Sequence, residues 1–244
     1  MKHILPLLLI STFMSCKNNK VSILPNTSKS VSVVFDVTDE HLLKPTANAL
    51  MPMFGFSQTP NGAASFRIGA ITNKKLNPVY ACSIANGTVT EQQNTTNDPL
   101  HRSKCIAAFY ERTQQLLSKI LLDDSTLELS NTECAFVIGR ELQHLSNDTS
   151  QQKILVVFGN LMEKSELFNA YQTLPLQNDL TAHLEQSKYF PEKLHGITVF
   201  FVFQPKDRSE DKRYMSLVTA YKVLLEKKGA KVIIQANDDF IVIQ

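Results

Sequence analysis

Apolar residues in this chain fall into two alternating patterns: short continuous runs, and longer stretches with apolar positions three and four apart. The runs are 32–36 (Ser-Val-Val-Phe-Asp), 153–158 (Lys-Ile-Leu-Val-Val-Phe), 196–203 (Gly-Ile-Thr-Val-Phe-Phe-Val-Phe) and 231–235 (Lys-Val-Ile-Ile-Gln). Short runs rich in β-branched and aromatic residues mark strands buried on both faces, as in parallel sheets. Residues 64–72 instead alternate apolar with polar, and the short turn 73–77 joins them to a further strand at 78–84. So short a link implies an antiparallel hairpin, because parallel neighbours need a crossover.

Helical spacing predicts helices over 41–54, 103–122, 133–145, 163–171, 180–189 and 209–228. The strongest stripe includes Ile106, Phe109, Tyr110, Leu116, Leu117 and Ile120; the last helix carries Tyr214, Leu217, Val218, Tyr221 and Leu224, and Gly229 stops it. Pro45 suits the first turn of its helix, and Thr132 suits the N-cap before Glu133. Residues 86–98 and 123–131 are polar loops, and 240–243 make a short terminal strand. Strands alternating with helices predict an α/β, doubly wound, mostly parallel sheet with one antiparallel edge strand and helices on both faces.

The N-terminal residues stand outside that alternation. Lys2 and His3 precede an apolar stretch, 4–14, too short to span a bilayer as a mature helix. Ser15 and Cys16 follow. This resembles a bacterial lipoprotein signal, whose cysteine is lipidated and becomes the mature N-terminus, although Phe13 stands where leucine is usual. An ordinary secretory signal is the alternative, and either takes the chain out of the cytoplasm. The polar stretch 17–29 has the composition of a flexible tether. The expected organisation is a signal peptide at 1–15, a lipidated cysteine and tether at 16–30, and one domain at 31–244, anchored in a bacterial envelope, at the outer membrane, with the face left open.

Charge and cysteines narrow the partners. A net charge of +2 with scattered basic residues argues against nucleic acid. Cys82, Cys105 and Cys134 permit one disulfide in an oxidising compartment without choosing the pair, and none has zinc-ligand spacing.

Candidate chemistry gathers where the strands end. The first run stops at Asp36, and Thr38 and Glu40 follow at alternate positions. Open α/β sheets hold ligands beyond the carboxyl ends of their strands. The three side chains could aim oxygens at one hard cation, or Asp36 or Thr38 could simply cap the next helix. Thr132 opens a helix, and Asn160 follows the run 153–158, so both reach the same edge.

This order resembles the von Willebrand factor A domain over most of residues 30–236. The family's metal-ion-dependent adhesion site uses Asp-x-Ser-x-Ser after the first strand, a Thr from a later loop and an Asp after the fourth core strand. Asp36 matches the leading Asp, Thr38 the first Ser and Thr132 the Thr. Glu40 stands in place of the second Ser and Asn160 in place of the final Asp, so one charge is gained where another is lost. The resemblance implies a divalent cation, usually magnesium, with an open position for a partner's carboxylate.

The expected function is a lipid-anchored binding module, not an enzyme, recognising a protein or envelope ligand at this edge. One alternative is a metal-independent accessory lipoprotein of an envelope or secretion assembly. Another is a phosphatase of the haloacid-dehalogenase type with Asp36 as nucleophile, which needs a second acid where Thr38 stands. No Gly-x-Ser-x-Gly elbow or glycine-rich phosphate loop occurs.

Overall fold

Three of the continuous apolar runs become the central strands of one six-stranded sheet, and the fourth, 231–235, becomes its edge. The computed structural model describes residues 27–37, 43–71, 78–87, 99–121, 132–172 and 174–238. Its strands are β1 (Ser28–Asp36), β2 (Ala63–Ile71), β3 (Val79–Ile84), β4 (Gln152–Phe158), β5 (Ile197–Val202) and β6 (Lys231–Gln235). They lie in the order β3-β2-β1-β4-β5-β6. Every neighbouring pair is parallel except β2 and β3, so β3 is an antiparallel edge. Five helices accompany them among the described residues: α1 (Ala47–Leu50), α2 (Pro99–Leu121), α3 (Cys134–Asn147), α4 (Gln177–Gln186) and α5 (Arg208–Lys227). None is long and apolar enough to cross a membrane.

Because side chains alternate across a strand, each central strand feeds two cores. Val34, Leu155, Val157, Val199 and Phe201 pack with α3, α4 and α5. Val33, Phe35, Val156, Phe158 and Val202 pack with α2 and the 3-10 turn Met51–Phe54. On that second face the Phe54 ring meets Phe109 edge-on at 4.9 Å and Phe66 at 6.1 Å, which seats α2 on the sheet.

A buried charge fixes α3. The Glu141 side chain is fully buried, with Arg67 Nε 2.6 Å from Oε2 and Arg140 Nε 2.9 Å from Oε1. Gly139 lets the helix approach the chain before β5, since a Cβ there would lie 2.7 Å from the Tyr189 carbonyl oxygen.

Several elements depart from the sequence reading. β1 starts at Ser28, inside the stretch read as tether, and Ser30 is buried. The helix expected over 41–54 shrinks to α1 and the 3-10 turn, with residues 43–46 non-helical. Pro45 disfavours helix at Lys44, Thr46 becomes the N-cap, and Pro52 has no N–H to continue the ladder. Residues 163–171 form no helix; Lys164 bridges Thr132 and Asn169 instead. In that loop Ser165 Oγ accepts from Leu167 N and Asn169 Oδ1 from Tyr171 N, local bonds that compete with a helical ladder. The N-cap of α3 is Glu133 rather than Thr132. Residues 240–243, expected as a strand, and Cys16 lie outside the described residues.

The three domain cysteines are free, so no disulfide forms among them. Cys82 Sγ meets Thr113 Oγ1 at 3.6 Å on the α2 face. Cys105 is about 12 Å further along that helix, by its rise per residue. Cys134 lies in the opposite core. Their positions, rather than redox state, keep them apart.

Candidate functional site at the carboxyl edge of the sheet

The β1–β4 register pairs Phe35 with Phe158, which brings Asp36 beside Gly159. Asp36 is buried, and Gly159 sits at φ +150°, where a Cβ would lie 2.9 Å from that of Asp36. Only glycine fits so close to the acid with that backbone. Thr132 is buried too, and its carbonyl accepts from Lys164 N at 2.8 Å, tying the start of α3 to the loop after β4. Asn160 opens that loop, its Oδ1 accepting from Met162 N at 3.0 Å. Asp36, Thr132 and Asn160 therefore come from three segments to one edge, next to the switch point where the strand order reverses between β1 and β4. Thr38 and Glu40 lie outside the described residues.

One further residue belongs here. Leu161, in the left-handed region at φ 58°, turns the chain so that Glu163 points inward. Glu163 is 1% exposed, and its Oε2 accepts from Ala135 N at 2.9 Å. It thus caps α3, whose own N-cap residue makes no side-chain cap bond. Burial pushes the Glu163 carboxyl up to about 7, against the hydrogen bonds that favour its charged form, and nearby Glu133 raises it further. Burial likewise drives the Cys134 thiol well up, reinforced by the Glu163 and Asp36 carboxylates. Carboxylates thus surround the start of α3. Glu163 carries no sequence signature: it sits alone within a stretch whose spacing suggests a helix.

Among the described residues no three His, Cys, Asp or Glu side chains are placed to hold a metal ion. Asp36 and the Thr132 hydroxyl are oxygen donors of the kind magnesium takes, in a carboxylate-rich surrounding. Asn160 Oδ1 already accepts one bond, leaving it one further lone pair. These three residues are too few donors to hold a cation by themselves.

Beside this corner lies a cleft of about 330 Å³, between the loop after β4 and the start of α5. Asn160, Met162 and Tyr171 line one wall; Lys206, Asp207, Ser209, Glu210, Arg213 and Tyr214 line the other. Asp207 caps α5 by accepting from Ser209 N and Glu210 N, and Glu210 accepts from Lys206 N at 2.6 Å. The arrangement is a variant of the capping box, in which Glu210 reaches back to the N–H of the residue before the N-cap Asp207.

The described cysteines are poorly placed for catalysis. Cys134 is buried with its thiol pushed up, and burial also raises Cys82. Cys105 and His101 face each other at 3.7 Å one turn apart on α2, away from the strand ends.

No family model matches the chain, and no curated protein does. Solved structures do. The PilB minor pilin from Streptococcus sanguinis aligns at 14% identity with a TM-score of 0.47, covering 89% of this chain and 59% of that chain. A point mutant of the same pilin aligns at 14% identity and a TM-score of 0.42, with the same coverage. This chain thus spans 59% of the pilin chain's length.

Proposed function

We propose that this protein is a von Willebrand factor A-like binding module that recognises a protein or envelope ligand at the carboxyl edge of its sheet. The observation that carries the reading is the convergence of buried Asp36 and Thr132 with half-buried Asn160 beside the β1–β4 switch point, in a sheet ordered β3-β2-β1-β4-β5-β6. Such a face binds without needing a nucleophile or general base. On this reading Asp36, Thr38, Glu40, Thr132 and Asn160 hold a divalent cation, magnesium first among them. The cation would supply a positive charge with an open position for an acceptor oxygen of the partner. Cys16 would carry the lipid that holds the module at the membrane.

A second reading has its own support. Glu163 already satisfies the N-terminus of α3, and the Asn160 amide oxygen already serves its own loop. Both suit an accessory envelope lipoprotein that binds at the same edge without metal.

A thermal melt in magnesium against EDTA separates the two. Metal at about 100 times its dissociation constant stabilises by about 2.7 kcal/mol, a melting shift of roughly 5–10 °C for a chain this size. Asp36→Ala abolishes that shift on the first reading. An equal melt in both buffers rejects the metal and leaves the accessory reading. Phosphatase activity that disappears in Asp36→Asn would overturn both in favour of the dehalogenase-type enzyme.

A further inference from the structure

The cleft beside the candidate cation corner carries a more specific assignment, which rests on the reading that this edge binds a protein. Its α5 wall carries charges of both signs, and these are unequally committed. Asp207 and Glu210 accept backbone N–H groups of the α5 cap. Arg213 lines the same cleft, is exposed, and makes no ion pair among the described residues. Tyr214 lines it from the buried side at 4% exposure, its ring 4.6 Å from that of Phe203. The Tyr214 hydroxyl is buried and has no hydrogen-bond partner among the described residues. An unmade buried bond of this kind is costly, so a ligand that reaches the hydroxyl recovers it.

We infer that this cleft is a subsite for an acidic side chain, Asp or Glu, of the protein partner: Arg213 pairs with the carboxylate and the Tyr214 hydroxyl donates to it. Burial holds the Tyr214 hydroxyl protonated, so it serves as a donor. Two features favour a monoanionic side chain over a phosphate. The first N–H groups of α5 are already taken by Asp207, and the Asp207 and Glu210 carboxylates repel a dianion more than a monoanion. Met162 and the half-exposed Tyr171 ring offer apolar contact to the methylenes of such a side chain.

The test is a chemical-shift titration of the full chain in EDTA with end-blocked alanine pentapeptides carrying one central Glu, Gln or Lys. The Glu peptide should shift amides around Lys206 to Tyr214 saturably, with the Gln and Lys peptides at least about fivefold weaker. Arg213→Gln and Tyr214→Phe should each cost the Glu peptide about fivefold or more. Equal binding of the Gln peptide, indifference to Arg213→Gln, tighter binding of inorganic phosphate, or no shifts at all overturns the subsite. Shifts confined to the Asp36 and Thr132 region, seen only with magnesium, overturn it too but leave the edge-binding reading standing. Cleft binding that persists when magnesium has no effect supports the subsite and rejects only the cation.

Discussion

At the residue scale, Asp36 and Glu163 are two buried acids in different circumstances. Asp36 was legible in the sequence, because an acid that ends a run of Val and Phe marks a strand end. Glu163 was not, because its role depends on a left-handed Leu161 and on α3 arriving from elsewhere in the chain. Its effect on stability has a definite sign. The folded carboxyl sits at about 7 against an ordinary 4.5, so the folded state holds the proton more tightly. Stability is therefore full below about 4.5 and falls as pH rises towards 7, by on the order of 3 kcal/mol. Glu163→Gln keeps an acceptor for Ala135 N and removes the charge. In EDTA, urea melts of that variant should lose the slope across this window, matching wild type at pH about 4 and exceeding it at pH about 8. A wild-type slope retained in the variant would assign the titration to another group.

Gly159 belongs to the same scale. Alanine there meets both a disfavoured backbone angle and the Asp36 Cβ, so Gly159→Ala should cost about 1–3 kcal/mol in a denaturant melt. It should also blunt any magnesium response, because the strand ends part at the acid. An unchanged melt would show that the chain relaxes there freely.

At the element scale, what the sequence revealed follows from how much each element depends on its own residues. β4 and β5 were legible because strands buried on both faces need continuous apolar runs, and α2 and α5 because long stripes leave no other solution. The loop 163–171 was misread because its apolar residues fall at helical spacing while Glu163, Ser165 and Asn169 spend their side chains on backbone N–H groups. The start of β1 was missed because Ser28, Lys29 and Ser30 are polar, yet Ser30 finds Ser65 Oγ at 2.9 Å across the strands. Helix α3 depends on a charge no periodicity shows. Removing Glu141 leaves Arg67 and Arg140 facing each other, about a quarter exposed, so water offsets part of the loss. Glu141→Ala should then destabilise by about 3 kcal/mol, the low end for a broken buried pair, in equilibrium urea unfolding. A loss under about 1 kcal/mol would mean that α3 is held by its apolar face alone.

At the scale of the whole molecule, the sheet order places the ends of β1 and β4 and the start of α3 at one edge, and sets the cleft of α5 beside them. The fold itself was legible from alternation of runs and stripes. The site was legible only as a set of matching positions, two of them altered and two, Thr38 and Glu40, outside the described residues. Whether these positions act together is a question about location. Manganese in place of magnesium answers it, because it broadens amide resonances close to where it binds. The account predicts saturable broadening centred on Asp36, Thr132 and Asn160, displaced by magnesium and absent in Asp36→Ala. Broadening centred elsewhere, or unchanged in that variant, would contradict a cation at the carboxyl edge of the sheet.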